Sequence, residues 1–181
     1  RTTAYVSLLV NALRIRGYHP DLLTKDFINN LKMAAPMHDI GKISTPDAIL
    51  QKPGKLTDEE YAIMKQHATK GSEIIKETFG KRDNSDFIDM AYDVAKFHHE
   101  KWNGRGYPTG LKDTEIPLAA RIMAVADVFD AVSQKRCYRE AMPLDECFEI
   151  IKKGRGSDFD PVLVDIFLEE REKVEEVYKQ I

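Results

Sequence analysis

The chain has 181 residues, 43% of them hydrophobic, and its 27 basic against 30 acidic side chains leave a net charge of −3. That length sustains one hydrophobic core, and that charge excludes the broad basic face that tracks a DNA or RNA polymer, so an anionic ligand needs a local cluster to hold it. Two cysteines, Cys137 and Cys147, lack a C-x-x-C spacing, which excludes a disulfide scaffold or thiolate metal site and fits a reducing cytoplasm; no apolar run reaches the roughly 18 to 20 residues of a membrane span.

Apolar residues recur at spacings of three and four along the chain, and no stretch alternates with β-branched residues. The expected fold is therefore all-α, a compact bundle of about seven helices. The spacing predicts helices over Thr2 to Leu13, Thr24 to His38, Asp58 to Phe79, Phe87 to His98, Pro117 to Ser133, Pro143 to Lys152 and Pro161 to Tyr178. Thr57 with Glu60 three residues on is a capping box, and Asp160 before Pro161 is an N-cap ahead of a first-turn proline. Two Gly- and Pro-rich loops, Gly41 to Leu56 and Trp102 to Ile116, separate helices, and long loops in a small domain tend to carry function. The charged end of the last helix, Glu169 to Glu176, reads as a solvated face.

The histidines fall on the apolar stripes. Leu31, Ala34 and Ala35 lead at helical spacing to His38; Ile63 and Met64 lead through His67 to Gly71, Ile74 and Ile75; Ala91, Val94 and Ala95 run on to His98. Ala120, Met123 and Ala124 are continued by a carboxylate, Asp127. Four helices thus each turn one ionisable group inward, and Asp39 and His99 stand beside two of them. A buried carboxylate is costly unless neutralised or paired. Imidazoles and carboxylates converging from separate helices form a mixed nitrogen and oxygen cage suited to iron, manganese, nickel or zinc. The alternative stays open that each histidine completes the core and that Asp127 caps a helix or pairs with Arg121 or Arg136. His19, beside Pro20 in a loop, fits no stripe and is expected at the surface.

His38-Asp39-Ile40-Gly41-Lys42 resembles the His-Asp signature of the HD metal-dependent phosphohydrolase superfamily. The segment His98 to Pro108, reading His-His-Glu-Lys-Trp-Asn-Gly-Arg-Gly-Tyr-Pro, resembles the hallmark of its HD-GYP branch, and Ile116-Pro117-Leu118 and Ala126-Asp127-Val128-Phe129-Asp130-Ala131 follow in register. The resemblance covers essentially the whole chain, residues 1–181. It implies an all-helical HD fold with a GYP loop and an enzyme that uses two or three divalent ions, iron or manganese before nickel or zinc, to cleave the bacterial messenger cyclic di-GMP to pGpG or GMP. Its metal ligands would be His38, Asp39, His67, His98, His99 and Asp127, which include every position singled out by the stripes. Asp39 and Lys42 would be catalytic, and Lys42, Arg136, Arg139 and Tyr107 would contact substrate, with Trp102 a further aromatic candidate against a guanine. The resemblance also leaves room for a diguanylate cyclase partner at the GYP loop and for a homodimer.

Family members carry a Glu-Thr-Gly-x-His-x-x-Arg segment whose Glu and His also bind metal and whose arginine matches Arg1. The chain is therefore expected to be truncated at its N-terminus, with an upstream receiver or sensory domain in the longer protein and weak metal binding in a fragment that starts at Arg1. Cys137 departs from the proline common among relatives. Two other functions compete with the leading one: hydrolysis of another cyclic nucleotide, since no residue reads guanine by itself, and a catalytically silent module that binds the messenger or a partner.

Overall fold

The computed structural model describes residues 1–80, 85–135 and 141–181. Among them the α-helices are α1 (Thr2–Ile15), α2 (Lys25–Ala34), α3 (Asp47–Leu50), α4 (Asp58–Phe79), α5 (Asp86–Phe97), α6 (Leu118–Ser133), α7 (Leu144–Lys153), α8 (Pro161–Glu169) and α9 (Arg171–Gln180). Short 3-10 turns cover Ala35–Met37, Ile40–Ser44 and Asp113–Glu115. The described residues hold no β-strand, only an isolated bridge between Arg155 and Phe159. No helix among them is long and apolar enough to cross a membrane.

Helix α6 is apolar nearly all round, so it has to be covered on every side. Ala119, Ala120, Ile122, Met123, Val125, Ala126 and Phe129 are buried, and α1, α5, α7 and α8 all pack against it. Phe129 anchors an aromatic cluster, with ring centroids 5.1 Å from Tyr5, 5.0 Å from Phe148 and 5.1 Å from Phe167, separations at which offset and edge-on rings attract. Helix α4 packs against α5 and the Ile40–Ser44 turn and reaches the core through Ile75.

Both N-terminal signals read from the sequence are present. The Thr57 hydroxyl accepts from the Glu60 amide while the Glu60 carboxylate accepts from the Thr57 amide, and Asp160 accepts from the Val162 amide with Pro161 in the first turn. Three expectations change. Helix α2 stops at Ala34 rather than His38, because Pro36 has no N–H to continue the ladder and the chain tightens into a 3-10 turn. The loop after Gly41 is partly helical, with α3 inside it. The last helix is two: at Glu170 the chain turns, and this side chain is buried, gripped by Arg16 at 2.7 Å and Lys173 at 2.6 Å. Glu170 is thus a packed ion pair inside a stretch that the sequence suggests is solvated.

Candidate metal centre

The ionisable groups predicted on separate stripes meet at one place. Three imidazoles are aimed by their own backbone: His38 Nδ1 lies 2.7 Å from the Ala35 carbonyl, His67 Nδ1 2.7 Å from the Met64 carbonyl, and His98 Nδ1 2.8 Å from the Val94 carbonyl. An Nδ1–H that donates to a carbonyl turns Nε2 towards the other partners. His67 and His98 are buried, as the stripes predict, whereas Ile63 at the start of the same α4 stripe is exposed.

Asp39 stands at the middle. Its Oδ2 is 3.3 Å from His38 Nε2 and 2.7 Å from Lys42 Nζ. Its Oδ1 faces His67 Nε2 at 3.4 Å and His98 Nε2 at 3.7 Å. One donor atom each from Asp39, His67, His98 and His99 lie within 4.8 Å of one another, close to the roughly 4 Å between opposite donors around an ion with bonds of about 2 Å. A second group shares Asp39: His38 Nε2 is also 3.4 Å from Asp127 Oδ1. Asp127 therefore pairs with His38, and Arg121, one of the two alternative partners considered for it, pairs with Asp160 instead; the other, Arg136, lies outside the described residues.

Asp39 Oδ1, His67 Nε2 and His98 Nε2 are buried without a hydrogen-bond partner among the described residues. Each orphaned atom costs roughly 1–3 kcal/mol, and a cation placed among them satisfies all three at once. Nitrogen and oxygen donors without a thiolate fit a divalent transition metal. Burial pushes His98 down to about 4 and His99 to about 2, and lowers His67, so these rings are neutral, the form that ligates. His38 differs. Burial opposes its charged form, but hydrogen bonds to Asp127 and Asp39 outweigh that and lift it to about 10. Burial likewise works against the Asp39 charge, and His38 and Lys42 reverse it, holding the carboxyl well below the usual range.

Close backbone packing sets this geometry. A Cβ on Gly41 would stand 1.9 Å from the His67 carbonyl oxygen and 2.5 Å from the Gly71 amide nitrogen. Only glycine lets the Asp39–Lys42 turn lie flat on α4, which brings Asp39 to His67.

The remaining expected site residues divide. Lys42 is at the cluster, paired with Asp39. The Tyr107 ring is stacked on His99, centroids 4.9 Å apart and 19° from parallel, and burial raises its hydroxyl well above the ordinary tyrosine value. Trp102 packs beneath the Arg121 guanidinium, 5.9 Å away. His19 is exposed, as expected. Arg136, Arg139 and Cys137 lie outside the described residues. Sequence reasoning passed over Lys65, whose Nζ stands 5.0 Å from the Tyr61 ring centre and 5.8 Å from that of Tyr107. It also passed over Glu100, buried directly after the histidine pair. An acid just past a helix C-terminus opposes the helix dipole and needs a local reason; that was the signal to follow.

The family model described as HD domain matches residues 19–163. The chain belongs to the HD domain family. Its Gly106-Tyr107-Pro108 triplet places this HD domain in the HD-GYP branch. A cyclic di-GMP phosphodiesterase of Vibrio cholerae is 43% identical, over 96% of this chain and 35% of that protein. A 3'3'-cGAMP-specific phosphodiesterase of the same organism is 42% identical, over 77% of this chain and 26% of that protein. The HD domain thus spans about a third or less of the length of these curated relatives. Among solved structures, an HDG"Y"P protein from Bdellovibrio bacteriovorus superposes with a TM-score of 0.65 at 20% identity, over 92% of this chain and 50% of that one, a likeness of fold.

Proposed function

We propose that this chain is the metal-dependent phosphodiesterase domain of a longer bacterial signalling protein and hydrolyses cyclic di-GMP to pGpG or GMP in the cytoplasm. The observation that carries the reading is Asp39, one carboxylate presented to two sets of imidazoles, with one oxygen orphaned on the His67 and His98 side. His38, Asp39 and Asp127 would hold one ion; Asp39, His67, His98 and His99 would hold a second. When bound, such ions lower the pKa of water and neutralise charge on phosphoryl oxygens; the donor set suits iron, manganese, nickel or zinc, and the family resemblance puts iron or manganese first.

The chain's own residues do the rest. Lys42, on the rim of the cluster 2.7 Å from Asp39, offers a point charge to a phosphoryl oxygen. Arg136 and Arg139 are assigned to phosphate on their match to the family. The Tyr107 phenol stays neutral over the working pH range, so its ring and hydroxyl present no charge that would repel an anionic substrate.

A cyclic di-GMP substrate is favoured over a mixed dinucleotide because the relative named for it aligns with 96% of the chain, against 77% for the cGAMP-specific one. Identity barely differs between the two, so turnover has to decide. Protein loaded with Mn2+ or Fe2+ is expected to hydrolyse cyclic di-GMP with a higher kcat/KM than 3'3'-cGAMP. The reverse order assigns the mixed dinucleotide instead, and no turnover of either by metal-replete full-length protein favours a silent binding module.

A further inference from the structure

His99 is built differently from the other three imidazoles of the centre. His38, His67 and His98 each have Nδ1 on a backbone carbonyl. Among the described residues, the His99 ring alone of these four has no such bond. Its faces are set by rings: Tyr107 in parallel stack, His98 at 4.0 Å and His67 edge-on at 4.9 Å. Of these, only Tyr107 lies outside the ligand set, so the direction of the His99 donor depends on where the loop places that tyrosine.

Glu100 decides where the loop goes. The residue is 3% exposed, and its carboxylate accepts from three successive loop amides. Thr109 donates to Oε1 at 2.7 Å, Gly110 to Oε1 at 3.1 Å and Oε2 at 3.0 Å, and Leu111 to Oε2 at 3.1 Å. Burying that charge is costly, and converging amide donors compensate for it as they do in an anion-binding nest. The same loop lies against the backbone of the histidine pair. A Cβ on Gly106 would stand 2.4 Å from the Lys101 nitrogen and 2.5 Å from the Glu100 Cα and the His99 oxygen, and the Tyr107 amide donates to the His99 carbonyl at 3.3 Å. Gly110 reaches the clamp at φ +79°, a conformation that other residues rarely adopt.

We propose that Glu100 and Tyr107 are positioning residues acting as one unit, in which the Glu100 clamp holds the loop so that the Tyr107 ring orients His99, as backbone carbonyls orient the other three histidines. The inference rests on the metal reading of the cluster and deepens it. Groups that orient a ligand typically alter metal affinity by about 10- to 100-fold.

The test is Mn2+ titration of the purified metal-free protein by calorimetry, for wild type, Glu100→Ala, Glu100→Gln, Tyr107→Phe, Tyr107→Ala and the Glu100→Ala/Tyr107→Ala pair. Circular dichroism checks that each variant is folded. Affinity for the ion that Asp39, His67, His98 and His99 would hold is expected to fall about 10- to 100-fold in Glu100→Ala and in Tyr107→Ala. Glu100→Gln should fall less, since it keeps one acceptor oxygen, and Tyr107→Phe should stay within about twofold of wild type, since it keeps the stacked ring. The double variant should lose no more than the worse single one, because both act through His99. Wild-type affinity in Tyr107→Ala, an equal loss in Tyr107→Phe, or additive losses in the double variant overturn the proposal. The tyrosine pair decides the matter even if Glu100→Ala does not fold. A wild-type protein that takes up no Mn2+ overturns the metal reading and this inference together, whereas wild-type uptake with unchanged variants overturns this inference alone.

Discussion

At the start of α8, Asp160 is buried with both carboxylate oxygens engaged, one accepting from the Val162 amide at 2.9 Å and the other from the Arg121 guanidinium at 2.7 Å. Arg121 in turn donates to the Ile116 carbonyl at 2.9 Å and covers Trp102. Around Asp39 the chemistry is similar but the arrangement is open: Oδ1 and the Nε2 atoms of His67 and His98 have no hydrogen-bond partner among the described residues. A polar group buried for stability is closed by its neighbours, because an unmade hydrogen bond is expensive. A polar group buried for chemistry keeps atoms unpaired for a ligand and tolerates that cost. Open and closed clusters therefore respond in opposite ways when a carboxylate or its partner is removed.

The largest expected effect breaks the open cluster. Asp39→Ala removes the carboxylate that the proposed ion sites share, so kcat/KM for cyclic di-GMP should fall by about 10³-fold or more, with loss of bound metal by elemental analysis. The metal-free protein should unfold within about 4 °C of metal-free wild type, since an orphaned oxygen goes with the side chain. A large fall in Tm with metal content intact would show that Asp39 belongs with the structural pair. Arg121→Ala inverts the pattern. It leaves Asp160 buried and unpaired at a cost of about 3–5 kcal/mol, which for a domain of this size lowers Tm by roughly 6–20 °C. Metal affinity measured well below that Tm should match wild type; a loss comparable to that of Asp39→Ala would mean that the two clusters are coupled.

How much of this was legible in the sequence follows from how local each cause is. Helical periodicity placed α1 and α4 to α8 because apolar spacing is written directly in the chain, and it picked His38, His67, His98 and Asp127 because ionisable residues interrupted that spacing. The caps at Thr57 and Asp160 were legible for the same reason: both partners lie within three residues. The break at Glu170 was not, since it depends on Arg16, more than 150 positions away in the chain. Nor was the way Asp39 turns one oxygen to each imidazole set, which requires α4 to lie against Gly41. Sequence named the candidate donors but not which of them face Asp39, because that is a property of packing between elements. Glu100 escaped because its partners are amides of the loop, which carry no side-chain signature.

The smallest expected effect sharpens the comparison with a group that is neither closed nor open. Asp93 on α5 is half-buried, and burial together with the neighbouring Asp89 raises its carboxyl to about 6, with Lys96 pulling the other way. Among the described residues no cluster of imidazoles faces it and no ion pair closes it, so the shift should appear as stability. An unfolded carboxyl titrates near 4, so between about pH 4 and pH 6 the folded chain binds more protons at this site than the unfolded one. Stability at Asp93 is therefore lost as the pH rises through that window, and the full penalty stands above it. Asp93→Asn should stabilise the protein by on the order of 1 kcal/mol at pH 7.5, after allowing for solvent screening, and the gain should vanish near pH 4. Urea denaturation at the two pH values measures it. A gain that is the same at both would assign the effect to local packing rather than to the charge, and a change in metal content would draw Asp93 into the open cluster.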